Sequence, residues 1–290
     1  MRLSLSITNY TWSDGPAHLT EHLDHVVRAA DEAGINTVWV PDHLLQGAPG
    51  SGPEDEMLEA YTTLGYLAAR STRVRLGAAV TGVTFRPPAL LIKAVTTLDV
   101  LSGGRAWLGV GAGYHLAEAE ATGLPLPETK IRFEHLEDTL RLALQMWQGD
   151  ASPFHGKQNR LENPINSPNS LRRPHPPILI GGTGEKKTLR FVAQYGDACN
   201  VFDIPDGGKT IKHKLDVLAR HCEEVGRPYE EIDKTVSTRL EAGESAERFV
   251  ERCAVLRSYG LDHTMVITTD AWTDKALETL AEAQPGLEAL

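Results

Sequence analysis

The chain lacks most of the features that would assign it quickly. It carries only three cysteines in 290 residues, Cys199, Cys222 and Cys253, and no CxxC pair. That usage excludes a disulfide framework and a zinc ribbon, and it fits a reducing, cytoplasmic compartment. No apolar run is long enough to span a bilayer. The first residues, MRLSLSITNYTWSDG, alternate like a strand and have no signal-peptide core. Net charge is −10, with 39 acidic and 29 basic side chains interspersed, so a basic stripe for nucleic acid is missing as well. GxSxG, HExxH and P-loop motifs are all absent. These absences argue against a membrane and against nucleic acid as the main partner, and they leave room for a local basic site that holds an anionic cofactor.

What the chain does contain is a repeated alternation. Eight short, β-branched runs fall at 3–8, 37–41, 74–80, 106–110, 177–181, 198–202, 235–239 and 263–268. Amphipathic stretches follow them at 18–33, 56–70, 88–101, 130–148, 185–195, 209–225, 245–259 and 273–283. In the first of these, Leu19, Leu23, Val26, Val27 and Ala30 recur at helical steps and make one apolar stripe. Gly34, Gly196, Gly226 and Gly260 supply stop signals. Strict strand–helix alternation implies a parallel sheet, and eight units are enough to close it. The expectation is α/β: a single (β/α)8 TIM-barrel domain over 1–290 with short insertions. An open doubly wound sheet is the alternative, but its GxGxxG turn after the first strand is missing.

The C-terminal ends of barrel strands are where chemistry is expected. Strand two ends in VWVPDHLL, which places Asp42 and His43 there. Histidine exchanges protons near neutrality and a carboxylate can tune it, although a DH pair can equally close a loop. The stretch LLQGAPGSGPEDE that follows reads either as a lid or as a long surface connection. Gly77, Ala78 and Ala79 leave space beside strand three, as a flat ring would require, and Arg86 could meet an anion or simply open a helix. Gly109, Gly111 and Gly113 permit close backbone approach. The most informative stretch is PILIGGTGEKKTL, in which Gly181, Gly182, Thr183 and Gly184 lead into a helix expected to open at Glu185. Free amides at a helix start, with Lys186 and Lys187 in the first turn, read as a phosphate site rather than two solvated lysines. His18, His22 and His25 share metal-compatible spacing but read as solvated helix groups. Cys199 reads as buried and inert, and residues 149–176, including Arg172 and Arg173, as a structural insertion on the opposite face.

VWVPDH, LGAAVTGVTFRPPALLIKAVTTLDVLSGGR, LGVGAGYHLAEAEATGLP, RFEHLEDTLRLALQMW, RPHPPILIGGTGEKKTLRFVAQYGDACN and HKLDVLARHCEEVGR follow one another in order. In these segments, which cover nearly the whole chain, it resembles the luciferase-like monooxygenase superfamily, in particular the branch of coenzyme F420-dependent oxidoreductases. The resemblance implies a bulge after strand three, with a non-proline cis peptide at Ala79–Val80 that backs the deazaflavin ring. Asp42 matches a ring-contacting position and His43 the proton-handling histidine of sugar-phosphate dehydrogenase relatives. Gly181, Gly182, Thr183 and Gly184 match the cofactor-phosphate loop, and Gly111 and Gly113 the turn along the tail. Two positions depart from the pattern. Tyr114 stands where those relatives carry a glutamate, and Gly47 where they carry a tryptophan. Tyr10, Trp12 and Tyr114 suggest a more aromatic pocket suited to a less polar substrate.

The implied activity is hydride transfer between the deazaflavin and an alcohol, carbonyl, imine or activated alkene, with His43 moving the proton and Asp42 orienting ring or histidine. The rivals are an FMN-dependent monooxygenase of the same superfamily and a non-catalytic flavin- or deazaflavin-binding protein. A phosphate-binding isomerase or aldolase ranks lower, because TTDAWTD after strand eight is acidic and has no glycine. Relatives often pair as homodimers through barrel helices.

Overall fold

Each of the eight apolar runs forms a strand, and the strands are parallel. The computed structural model describes residues 1–47 and 51–290. Its barrel strands are β1 (Arg2–Ser6), β2 (Thr37–Val40), β3 (Arg75–Ala78), β4 (Ala106–Gly111), β5 (Ile178–Ile180), β6 (Ala198–Phe202), β7 (Asp233–Arg239) and β8 (His263–Ile267). An open sheet would leave two free edges. Here β1 pairs with β8 at Arg2↔His263, and β3 pairs with β4 at Gly77↔Trp107, so the sheet closes. The expected (β/α)8 barrel is the observed one.

The surrounding helices are α1 (Leu19–Glu32), α2 (Ala60–Arg70), α3 (Pro88–Ser102), α4 (Leu116–Thr122), α5 (Thr129–Gln148), α6 (Thr188–Tyr195), α7 (Lys209–Val225), α8 (Ala246–Ser258) and α9 (Asp274–Glu288). The stripe read in α1 is its buried face, and the helix stops at Ala33–Gly34, where Gly34 has φ +74°. Two elements were not legible in the alternation. One is α4, which follows β4 on the C-terminal side. The other is a small antiparallel hairpin, Phe154–His155 with Arg160–Leu161, inside the 149–176 insertion. A third difference concerns α6, which begins at Thr188 and not at Glu185. Lys186 and Lys187 therefore lie in the turn before the helix. The loop expected to act as a lid or connection runs through residues 48–50, which lie outside the described residues.

Barrel interiors are filled by side chains from alternate strand positions. Here Trp39, Trp107, Leu179, Ala198 and Met265 form that inner cluster. Gly77 belongs to it by necessity, because a Cβ there would lie 2.7 Å from the Trp39 ring and 2.8 Å from Trp107 Cβ. The space expected beside Gly77 is thus filled by two tryptophans, whereas Ala79 does border an open cavity. None of the three cysteines pairs, all are buried, and burial pushes the Cys199 thiol up to about 12. Among the described residues no helix is long and apolar enough to cross a membrane.

Candidate functional site

The site begins where β3 breaks off. The Ala79–Val80 peptide is cis, at the bond where the resemblance placed it. The chain then resumes as a short strand, Thr81–Gly82, which pairs with Val110 and Gly111 of β4. The bulge explains two glycines that sequence reasoning had assigned to ligand approach. A Cβ on Gly111 would meet Val80 Cγ2 at 3.0 Å, and one on Gly181 would meet it at 2.6 Å. Both are glycine because Val80 occupies the space that their side chains would need.

Above the bulge lies a cavity of 670 Å³ at the C-terminal mouth of the barrel. Its floor and walls include Ala79, Val80, Leu179, Asn200, Ser237 and Met265, and its rim includes Phe85, Tyr114 and Phe133. The cavity is more apolar than polar in lining, with few convergent polar groups, as small-molecule sites generally are. Of the positions singled out in the sequence, Asp42, His43, Ala79, Val80, Gly111, Gly113, Gly181, Gly182 and Tyr114 line it. Thr183 and Gly184 do not; a Cβ on Gly184 would crowd Thr188 Oγ1 at 2.9 Å, so that glycine serves the start of α6. Tyr10 is fully buried in the core and Trp12 stacks on His22 outside the cavity, so neither contributes to the pocket. The paired histidine–acid contacts His22–Asp14 and His25–Asp274 likewise account for the histidines of α1. Among the described residues there is no cluster suited to a metal ion.

Asp42 and His43 are adjacent in sequence but belong to different networks. Asp42 is buried, and its carboxylate accepts hydrogen bonds from Thr81 Oγ1 (2.6 Å) and from both terminal nitrogens of Arg86. Arg86 also pairs with Glu59 and lies 4.9 Å over the Tyr61 ring, while Tyr61 Oη lies 2.9 Å from Thr81 Oγ1. Arg86 is therefore committed internally and does not wait for an anionic ligand. This network fastens the segment just past the bulge to the end of β2. Asp42→Asn breaks a buried bidentate pair, and truncating one side of such a pair costs about 3 kcal/mol. The expected outcome is a lower denaturant midpoint at unchanged slope, together with weaker cofactor binding as the bulge loosens.

The partner that sequence reasoning gave to His43 was Asp42; the structure gives it Glu118. His43 Nδ1 lies 2.8 Å from Glu118 Oε2. Glu118 is on α4, is buried, and also accepts from the amides of Leu44 (2.7 Å) and Leu45 (3.2 Å). Burial opposes its charge, but the His43 hydrogen bond and these amides outweigh it and hold the carboxyl below the usual range. A depressed carboxylate stabilises the fold above its ordinary titration range, and that contribution is lost as pH falls through the lowered value. Glu118 was missed because α4 was missed. The signals were present: Gly113 and Gly123 bracket the helix-forming HLAEAEAT, and His115 caps it by accepting from the Glu118 amide at 3.2 Å. With Nδ1 occupied, Nε2 is the His43 nitrogen left for a ligand. Phe85, Tyr114 and His115 surround the imidazole edge-on at 6.4, 6.3 and 5.9 Å.

The cavity is basic on its β4–β5 side. Arg132 lines it and donates to the Gly113 carbonyl, and Lys187 Nζ lies 5.1 Å from the Phe133 ring. Gly182, at φ +101°, and Thr188 complete this side.

A family model for luciferase-like monooxygenase matches residues 1–288. The chain belongs to that family. This luciferase-like chain is 32% identical over 231 residues to an F420-dependent glucose-6-phosphate dehydrogenase of Kineococcus radiotolerans, covering 77% of the chain and 64% of the relative. It is 30% identical over 243 residues to the enzyme of the same name from Amycolatopsis mediterranei, covering 82% and 68%. The chain thus spans only about two thirds of the length of these relatives, and slightly less in the first case. Among solved structures, an F420-dependent secondary alcohol dehydrogenase in complex with an F420–acetone adduct superposes with a TM-score of 0.82 at 16% identity, covering 99% of this chain and 98% of that one. At that identity the likeness is one of fold.

Proposed function

We propose that the chain, as one barrel domain over 1–290, is a coenzyme F420-dependent oxidoreductase acting on a small organic substrate. The observation that carries this reading is the pairing of a half-buried histidine, held by a buried glutamate, with an apolar cavity floored by the Ala79–Val80 bulge. The named relatives support the choice of cofactor.

The residues present fit a deazaflavin. Ala79 and Val80 offer a flat, apolar backing, and Gly182, Thr188 and Arg132 offer amide, hydroxyl and cationic groups to an anionic tail. Thr183 and Gly184 then serve by shaping the loop rather than by contact. When bound, the deazaflavin supplies the hydride chemistry. The chain supplies alignment, water exclusion and a proton path. His43 takes or gives the substrate proton at Nε2. Glu118 is a positioning residue that holds Nδ1 and stabilises the imidazolium. Phe85, Tyr114 and Phe133 exclude water around them.

The substrate reads as an uncharged alcohol, carbonyl, imine or activated alkene. The cavity lining is mainly apolar, and its cation, Arg132, stands on the β4–β5 side that the cofactor tail would take. The protein is read as cytoplasmic and as a homodimer.

Calorimetry on the apo protein with F420 and with FMN separates the rival cofactors. F420 binding with no or far weaker FMN binding is expected; the reverse order would make the chain a flavin monooxygenase. A panel of neutral alcohols and ketones beside glucose 6-phosphate tests the substrate class. Preferential turnover of the phosphate would overturn that part, and F420 binding without any turnover would leave a carrier.

A further inference from the structure

The opposite end of the barrel holds an arrangement that the reaction does not use. Arg75 opens β3, and its position lies on the inward face, two residues before Gly77, whose own inward side is covered by Trp39 and Trp107. His263 opens β8, two residues before the inner-cluster residue Met265. Both therefore point into the barrel beneath the tryptophans, at the end away from the cofactor cavity. The Arg75 guanidinium stacks over the Trp107 ring at 4.5 Å. Among the described residues, buried atoms without any hydrogen-bond partner include Arg75 Nη2, Trp107 Nε1 and both ring nitrogens of His263. His263 is 1% exposed and Trp107 is 2% exposed.

Four orphaned polar atoms in one barrel floor require an occupant, since buried polar groups are almost always satisfied. Water satisfies hydrogen bonds but leaves the charge uncompensated. The surrounding charges decide between the two. Arg2 faces the same floor, but the nearby Asp233 carboxylate is already bound to it at 2.6 Å. Asp99, the other acid in range, accepts from the Leu171 and Arg172 amides at Oδ2, and its buried Oδ1 has no hydrogen-bond partner and makes no ion pair with Arg75. Arg172 adds a further positive charge. Burial first, and then Arg172, push the Arg75 guanidinium down to about 10 against the opposing pull of Asp233 and Asp99, the direction expected of a buried cation. Burial, reinforced by Arg2 and Arg75, likewise lowers His263 to about 3, so its ring is neutral and keeps one N–H to donate. Among the described residues neither carboxylate forms an ion pair with Arg75: Asp233 is held by Arg2, and Asp99 is turned to the Leu171 and Arg172 amides.

We propose that the floor of the barrel is a binding site for a small inorganic anion, of the size of chloride, held by Arg75 with N–H groups from His263 and Trp107. It is a structural site, separated from the cofactor cavity by the Trp39–Trp107 layer. It does not depend on the identity of the cofactor.

The test uses the whole chain without cofactor. Thermal unfolding is followed as sodium chloride replaces sodium gluconate at constant ionic strength. Above Kd the melting temperature is expected to rise with the logarithm of chloride concentration, reaching about 4 °C at a hundredfold excess over Kd. Arg75→Met, which keeps the stem over Trp107 but removes the charge, is expected to abolish the dependence. Retention of the full shift in that variant, or its absence in the wild type, overturns the site. A bromide-soaked wild-type crystal gives a readout that no variant has to survive. An anomalous peak contacting Arg75 and either His263 or Trp107 supports the proposal. Water density alone at the floor refutes it, and so does a bromide peak there without any melting shift, which would mean an adventitious ion only.

Discussion

Replacing His43 by glutamine is expected to lower kcat by about a hundredfold or more while leaving the Kd for F420 within a few-fold of wild type. The physical basis is that proton transfer by a positioned side chain contributes roughly 10² to 10⁴ in rate. Glutamine keeps the size of the side chain and can still bond Glu118, but it cannot carry a proton. Steady-state turnover and equilibrium titration of the cofactor together check this. An unchanged kcat would remove His43 from the mechanism, and parallel losses in kcat and cofactor affinity would show that the residue merely shapes the site. Glu118→Gln belongs to the same experiment. A positioning role predicts a smaller loss in kcat and a displaced pH profile, because the imidazole loses its charged partner, while the capped helix α4 remains intact. A purely structural role would lower stability and leave the pH profile in place.

Gly109→Ala is expected to be the most damaging single methyl in the barrel. A Cβ at that position would lie 1.8 Å from the Ala78 carbonyl oxygen. The obstacle is backbone, held by strand pairing on both sides, so no side-chain rotation can relieve it. The strands β3 and β4 would have to part next to the bulge. Overpacking of this kind exceeds the roughly 1–3 kcal/mol usual for an added methylene. The expected result is a loss above about 4 kcal/mol, or failure to fold, together with loss of cofactor binding in whatever folds. The control is Gly65→Ala in α2, where a Cβ meets nothing within 4 Å. Within a helix the same change is expected to be neutral or to stabilise by up to about 1 kcal/mol. Chemical denaturation of the two variants settles the contrast, and equal stabilities would refute the steric reading of Gly109.

Much of this protein was legible before its structure. Eight apolar runs separated by amphipathic stretches imply a closed parallel barrel because burial on both strand faces and on one helix face leaves few other solutions. Barrel geometry then places Asp42, His43 and the glycine loop after β5 at the C-terminal mouth, because strand ends are set by the runs themselves. Cys199 lies inside one of these runs, and a strand covered on both faces leaves a small thiol buried and inert, as it is.

What the linear order did not contain was which side chains meet across strands. Asp42 and His43 are neighbours in the chain, yet one turns to Arg86 and Thr81 and the other to Glu118, 75 positions later. Gly77, Gly111 and Gly181 looked like room for a ligand, but tryptophan rings and Val80, brought from other strands, fill that room. Tyr10 and Trp12 were aromatic and near a strand end, but the pitch of the chain turned them away from the cavity. Periodicity alone set the barrel and the end at which its chemistry lies, because periodic burial is a local property. The partner of His43, the purpose of the glycines and the surroundings of Arg75 came from the folded chain, because each depends on contacts that close only when β4 and β8 come round to meet β3 and β1.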